Sequence, residues 1–169
     1  MAIPTLATVG GQLLTVGYPG QLAMNVDDPA VESCINENAT AINFGDAVCL
    51  GTTAALPGTP GSVRPPISGG VVKGIALRAL SEANAPGVAG TINYPQFHDV
   101  PVCNKGYLYC LASENVTDGD AAICVVASAG IGGATGGAAN GTTRLTIPGA
   151  IWKTTTASGA VGLVHIVTA

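Results

Sequence analysis

The sequence predicts an all-β protein of the jelly-roll or β-barrel/sandwich type with an extended N-terminal arm. Three observations carry that expectation. The chain holds 24 Gly and 11 Pro in 169 residues, so almost no segment is long and periodic enough for a helix. The apolar runs between these breakers are short, β-branched and bounded by turn residues, as strands are. Residues 1–25 carry no charge and four Gly, with apolar residues in no clear period. Such a segment gains little by folding on itself and is expected to order against a neighbour.

The elements follow in order. Residues 1–25 form the arm and residues 26–169 a single β-rich domain. Residues 29–38 are a helix candidate, because Asp27 and Asp28 suit an N-cap and Val31, Cys34 and Ile35 recur at helical spacing. Residues 41–50 read as a strand. The proline-rich stretch 56–66 is expected to be a surface loop that cannot pair in a central strand. Strands follow at 70–79, 106–112 and 121–127. Residues 129–140 read as a Gly/Ala-rich loop. Three more strands, at 143–147, 150–155 and 160–168, complete the set. Seven or more short strands at regular spacing suit a sandwich, jelly roll or barrel.

One internal echo appears. Gly45-Asp46-Ala47-Val48-Cys49-Leu50 resembles Gly119-Asp120-Ala121-Ala122-Ile123-Cys124. In both, Gly-Asp makes a turn that feeds an apolar strand, which reads as reuse of turn chemistry.

Composition bounds the function. Only 9% of residues are charged, against roughly 25% in ordinary domains. Spread over the expected surface, each charge serves roughly 470 Å², where average composition gives about 180 Å². Surfaces this poor in charge associate readily, so much of this one is expected to meet another protein. The net charge is −4 and the six basic residues are scattered, which argues against nucleic-acid binding. The uncharged run at residues 121–143 is broken by six glycines and an asparagine, and no run of about 18 consecutive apolar residues exists, so no spanning helix is expected. The N-terminus lacks the basic and continuous apolar regions of a signal peptide, which points to a protein that stays in the cytoplasm or in an assembly built there. The five cysteines are then expected as free thiols packed as small hydrophobes. Three Asn-x-Thr sequons, at Asn38, Asn115 and Asn140, matter only on a eukaryotic secretory route.

A search for chemistry returns nothing that marks an enzyme. His165 sits in an alternating run and reads as a strand side chain, and His98 lies in a Pro-flanked loop. His98, Cys103 and Cys110 match no standard zinc spacing. The stretch Gly130-Ile131-Gly132-Gly133-Ala134-Thr135-Gly136 mimics a dinucleotide loop but runs on into another strand instead of a helix. Asp27, Asp28, Glu32 and Glu37 read as capping and solvating residues. No catalytic residue, cofactor or metal ligand is assigned.

A resemblance adds to this. The run Gly17-Tyr18-Pro19-Gly20-Gln21-Leu22-Ala23, then residues 31–37, then Ile42-Asn43-Phe44-Gly45-Asp46-Ala47-Val48, resembles the start of tailed-bacteriophage structural cement proteins. Gly74-Ile75-Ala76-Leu77-Arg78 is similar to a later strand of that family. The ending, from residues 150–153 through 162–167, is similar to its closing strand pair. Family members usually carry Asp after Gln-Leu-Ala, where this chain has Met24-Asn25.

The resemblance implies a β-barrel or jelly-roll capsid decoration subunit on the outside of the phage head. It would bridge neighbouring major capsid proteins, as a homodimer or homotrimer, with no nucleic-acid or membrane partner. The alternative is a subunit of a fibre, surface layer or secreted adhesin. On the cement reading, the contact residues are expected in the arm, at Leu13, Leu14, Tyr18, Pro19 and Leu22. The competing expectation is that these residues pack into the subunit's own core.

Overall fold

The computed structural model describes residues 17–23, 29–52, 61–78 and 93–167. Eleven strands make the fold: β1 (Ala30–Asn36), β2 (Ile42–Asn43), β3 (Ala47–Leu50), β4 (Gly61–Arg64), β5 (Val72–Ala76), β6 (Asn93–Tyr94), β7 (Asp99–Leu111), β8 (Ala121–Val125), β9 (Ile131–Gly133), β10 (Arg144–Trp152) and β11 (Val161–Ile166). The all-β expectation holds, and of the architectures weighed it is the barrel that forms.

Strands β1, β4, β3, β5 and the first half of β7 close on themselves, because β1 pairs with β4 on one side and β7 on the other. The second half of β7 continues into the order β7-β11-β10-β8-β9. That sheet also returns to its start, through a parallel bridge between Ile131 and Ala112 and the Ser113 N–H bonded to the Ile131 carbonyl. The molecule is thus two five-stranded barrels that share one strand.

The two barrels are the same structure in register. Ile35 pairs with Asp99 and Cys34 with Val100 in the first; Leu111 pairs with Val161 and Cys110 with Gly162 in the second. Ile75 faces Ala47 and Cys103, as Ile151 faces Ala121 and His165. Leu50 opposite Val63 corresponds to Cys124 opposite Ile131. Each barrel closes with one parallel pairing, β1 to β4 and Ala112 to Ile131. The Gly-Asp echo is therefore more than shared turn chemistry. Gly45 and Gly119 occupy the same turn at φ 83° and 91°. The Gly45 N–H bonds the Ala76 carbonyl and the Ala76 N–H the Asp46 carbonyl, as Gly119 and Asp120 do with Trp152. The sequences diverge outside these turns, which hid the repeat.

Two cores fill the fold. Cys34, Ile42, Phe44, Val48, Val63, Ala76, Tyr94, Val100 and Val102 line the inside of the first barrel. A larger core joins the inside of the second barrel, with Cys110, Ile131, Trp152 and Val164, to the outer faces of β3 and β5, with Ala47, Cys49 and Ile75. Strands β3 and β5 form the wall between the cores, so they are buried on both faces except at Leu50 and Lys73. The pair β2–β6 caps the first barrel, with Phe44 and Tyr94 rings 5.0 Å apart.

Four segments differ from the sequence expectations. The helix candidate at 29–38 is strand β1. An isolated helix that short is marginal, and pairing with β7 from Ala30 to Ile35 satisfies its backbone instead. Within the expected loop 56–66, Gly61–Arg64 forms β4 between β1 and β3. Its flanking prolines, Pro60 and Pro65, lie outside the four paired residues, whose N–H groups are intact. Residues 53–60 lie outside the described residues. In the expected Gly/Ala loop, Ile131–Gly133 forms β9, fully buried. The strands expected at 143–147 and 150–155 merge into β10, bulged near Pro148 and Gly149.

Candidate partner interface

Residues 17–23 lie antiparallel along the outer edge of β7. The Gly20 N–H bonds the Tyr109 carbonyl (2.8 Å), the Tyr109 N–H the Gln21 carbonyl (2.9 Å), and the Ala23 N–H the Tyr107 carbonyl (2.9 Å). Glycine makes this approach possible. A Cβ on Gly17 would overlap the Tyr109 ring, and Gly20, at φ 76°, sits against the Gly45 nitrogen and the Ala76 carbonyl. Gly20 and Gly45, from separate stretches of the family-like sequence, thus meet in space.

This places the arm residues singled out from sequence. Leu22 is half-buried against the larger core of its own subunit and bridges to Leu108. Pro19 is half-buried beside Gly45. Tyr18 is 60% exposed, with the Arg78 guanidinium 4.5 Å above its ring. Tyr18 and Leu22 line an open cavity of about 450 Å³ with Gly20, Gln21, Leu77 and Arg78, while Pro19 lines a separate one with Phe44, Gly45 and Arg78. Leu13 and Leu14 lie outside the described residues.

The repeat makes a second edge conspicuous. Tyr107 and Tyr109, against which residues 17–23 pair, correspond to Val31 and Ser33 in the first barrel. Among the described residues no strand covers that edge, since β4 joins β1 only from Cys34 onward. Residues Ala30 to Ser33 are exposed on both faces. An open edge with its N–H and C=O groups free is a template for another chain.

A third feature lies at the turn from β6 to β7, where Phe97 is 75% exposed at φ 66°. Sequence reading passed over Phe97. The one signal was an aromatic residue in a Pro95–Asp99 turn, where a Gly or Asn would be ordinary.

The titratable groups do not converge on a reaction. All five cysteines are free and buried. Burial pushes the Cys34 thiol to about 11 and Cys124 to about 12, and raises Cys49, Cys103 and Cys110 as well. Such thiols are poor nucleophiles. Among the described residues no three His, Cys, Asp or Glu gather to hold a metal. His165 stacks on Tyr107 with ring centroids 3.8 Å apart. The Glu114 carboxylate holds Arg144 in two hydrogen bonds, at 3.0 and 2.5 Å. The same guanidinium donates to the Gly133 and Gly137 carbonyls, which pins the Gly-rich segment. That pairing keeps Glu114 below its ordinary range.

Comparison with known proteins places this architecture. A family model described as structural cement protein (E217 gp24/Pam3 gp6) matches residues 6–168. No curated protein matches. A solved chain from "The capsid of Myoviridae Phage XM1" shares the fold over 98% of both chains, with a TM-score of 0.64 at 17% identity.

Proposed function

The chain belongs to the phage structural cement protein family, and from that premise we propose that it binds the outside of an assembled head and ties neighbouring major capsid proteins together. Its role in the virion is structural, and the family implies no enzymatic activity. The observation that carries the finer reading is a family match running the length of both barrels. Three further features support it. The chain is poor in charge, with 9% charged residues. The β1 edge at Ala30 to Ser33 is open to strand addition. The two barrels repeat one backbone around a shared strand, which suits a symmetric shell that offers the same surface many times.

The contact set combines that edge with the arm. Leu13 and Leu14 reach the shell, Tyr18 lies at the junction, and Pro19 and Leu22 anchor the arm to its own subunit. The subunit is a homodimer or homotrimer, made in the host cytoplasm before it joins the head.

The test is cosedimentation with heads lacking the subunit, beside its mass in solution. Saturable binding to expanded heads at a fixed copy ratio is expected, with binding lost on deletion of residues 1–16 and the fold kept. Failure to bind, with polymer growth in solution, would turn the reading towards a fibre or surface-layer subunit.

A further inference from the structure

The two barrels contain the same turn twice, and the residue at its tip differs in a way the fold does not require. In the first barrel the His98 N–H bonds the Pro95 carbonyl (3.2 Å), the Phe97 N–H the Asn36 carbonyl (2.8 Å), and the Asn36 N–H the His98 carbonyl (3.0 Å). In the second, the Ala160 N–H bonds the Ala157 carbonyl (3.0 Å), the Gly159 N–H the Ala112 carbonyl (2.8 Å), and the Ala112 N–H the Ala160 carbonyl (2.9 Å). The tips are Phe97 at φ 66° and Gly159 at φ 79°.

Glycine is the expected tenant of a left-handed tip, and a bulky residue there is a true outlier. Gly159 shows that this turn forms without a side chain. Phe97 gains little in exchange for its conformation, since 75% of it faces solvent. Neither the backbone nor the core therefore selects a phenylalanine. Strained positions held by their surroundings cluster where a protein meets its ligand, and aromatic side chains lead among residues that anchor interfaces.

We propose that Phe97 is a docking knob, an aromatic side chain held off the first barrel to fill an apolar socket on the shell protein. The proposal rests on the cement reading. The charges flanking the knob in the chain favour a different protein over a second copy. Asp99 is exposed two residues on, and Glu37 follows Asn36. Two copies meeting through this turn would set Asp99 against Asp99 on chains already at −4. The socket is accordingly apolar with a rim carrying Lys or Arg. The second barrel presents no such knob, so the two like barrels meet the shell in unlike ways.

The experiment titrates heads lacking the subunit with wild-type protein, Phe97→Gly and Phe97→Trp, beside thermal melts and sedimentation of each protein alone. Phe97→Gly copies the residue of the equivalent turn and is expected to melt no lower than wild type. It should bind heads about 10- to 100-fold more weakly, the range for loss of one interface anchor. Phe97→Trp should recover most of the affinity. Wild-type affinity in Phe97→Gly overturns this inference alone. A melt lowered by several degrees also overturns it, by showing that Phe97 serves its own fold. A lower mass of Phe97→Gly in solution overturns the choice of partner and makes a second copy the occupant. Wild-type protein that ignores heads overturns the cement reading and this inference together.

Discussion

The two barrels keep one register but are filled from opposite sides. In the first, Tyr94 on the cap strand enters the interior over Ala76 and Val100; in the second, the corresponding residues are Thr156, Trp152 and Gly162, and the large ring comes from β10. A Cβ on Gly162 would crowd the Trp152 ring and the Thr156 hydroxyl. The Tyr94 hydroxyl finds the Leu77 carbonyl, and the Trp152 ring N–H finds the Gly132 carbonyl at 2.9 Å. Strand register is thus fixed by the backbone and its turns, while core volume is traded among three positions.

The sharpest way to break the comparison is to remove the ring. Trp152→Ala should cost about 3–5 kcal/mol in denaturant unfolding, as large core truncations do. The triple change Trp152→Ala, Thr156→Tyr and Gly162→Val places the first barrel's trio in the second and should recover part of that loss. A triple variant less stable than Trp152→Ala would show that the two interiors are not interchangeable.

Next in size is the clamp that, among the described residues, the second barrel alone has. Glu114→Gln removes the carboxylate from Arg144, whose side chain is only 15% exposed. A loss of roughly 1–3 kcal/mol is expected, discounted from fully buried pairs for the water that reaches this one. Gly132→Ala should be comparably harmful, because its Cβ would fall on the Glu114 carboxylate. Hydrogen exchange should show the faster opening near β9 and not in the first barrel.

Smaller still is the contrast between the twin turn acids. Asp46 is pushed up to about 6 from its ordinary 3.8, chiefly by burial, against the hydrogen bonds it accepts from Asn43. Asp120 is lowered, by the Thr117 N–H first and the Thr135 hydroxyl second. The signs are opposite. The native state holds the Asp46 proton more tightly than the unfolded chain, so this stabilisation is present below about pH 4 and is lost as pH rises through about 6. For Asp120 the stabilisation is present above its ordinary value and is lost as pH falls through the depressed one. Asp46→Asn should therefore flatten the decline in melting temperature between pH 4 and 6. Asp120→Asn should flatten the loss below pH 4. Melting curves across that range decide both.

The smallest effect is expected at the thiols. A thiol-reactive dye should label none of the five cysteines of the native protein at pH 7 and all of them in denaturant. Rapid labelling of one would reopen the question of chemistry at that residue.

How far the sequence could be read follows the same division. The second barrel is built largely from neighbours in the chain. Strands β10 and β11 pair across a short connection, as do β8 and β9, and the expected strands at 121–127, 143–155 and 160–168 are found there. The first barrel is closed by remote partners. Strand β1 takes its bonds from β7 and β4, and the helix and loop expectations failed at β1 and β4. Local spacing cannot report a bond whose other half lies far along the chain. Strand β9 was missed for a different reason: its glycines answer to the Glu114 and Asp120 carboxylates, which only the folded chain brings near. Of the proposed interface, Tyr18, Pro19 and Leu22 were singled out from an uncharged stretch. Phe97 and the β1 edge were not, since each stands out only against its counterpart in the other barrel.

Strand β7 runs through both barrels, 13 residues without a linker. If the subunit ties neighbours together as proposed, it is loaded in tension, and that tension passes along a single backbone. A pull applied at opposite ends loads the hydrogen bonds to β1, β5 and β11 in shear, many together, instead of peeling them one at a time. On that reading the fused strand carries the load through both barrels, with the yield point set by whatever grips each end.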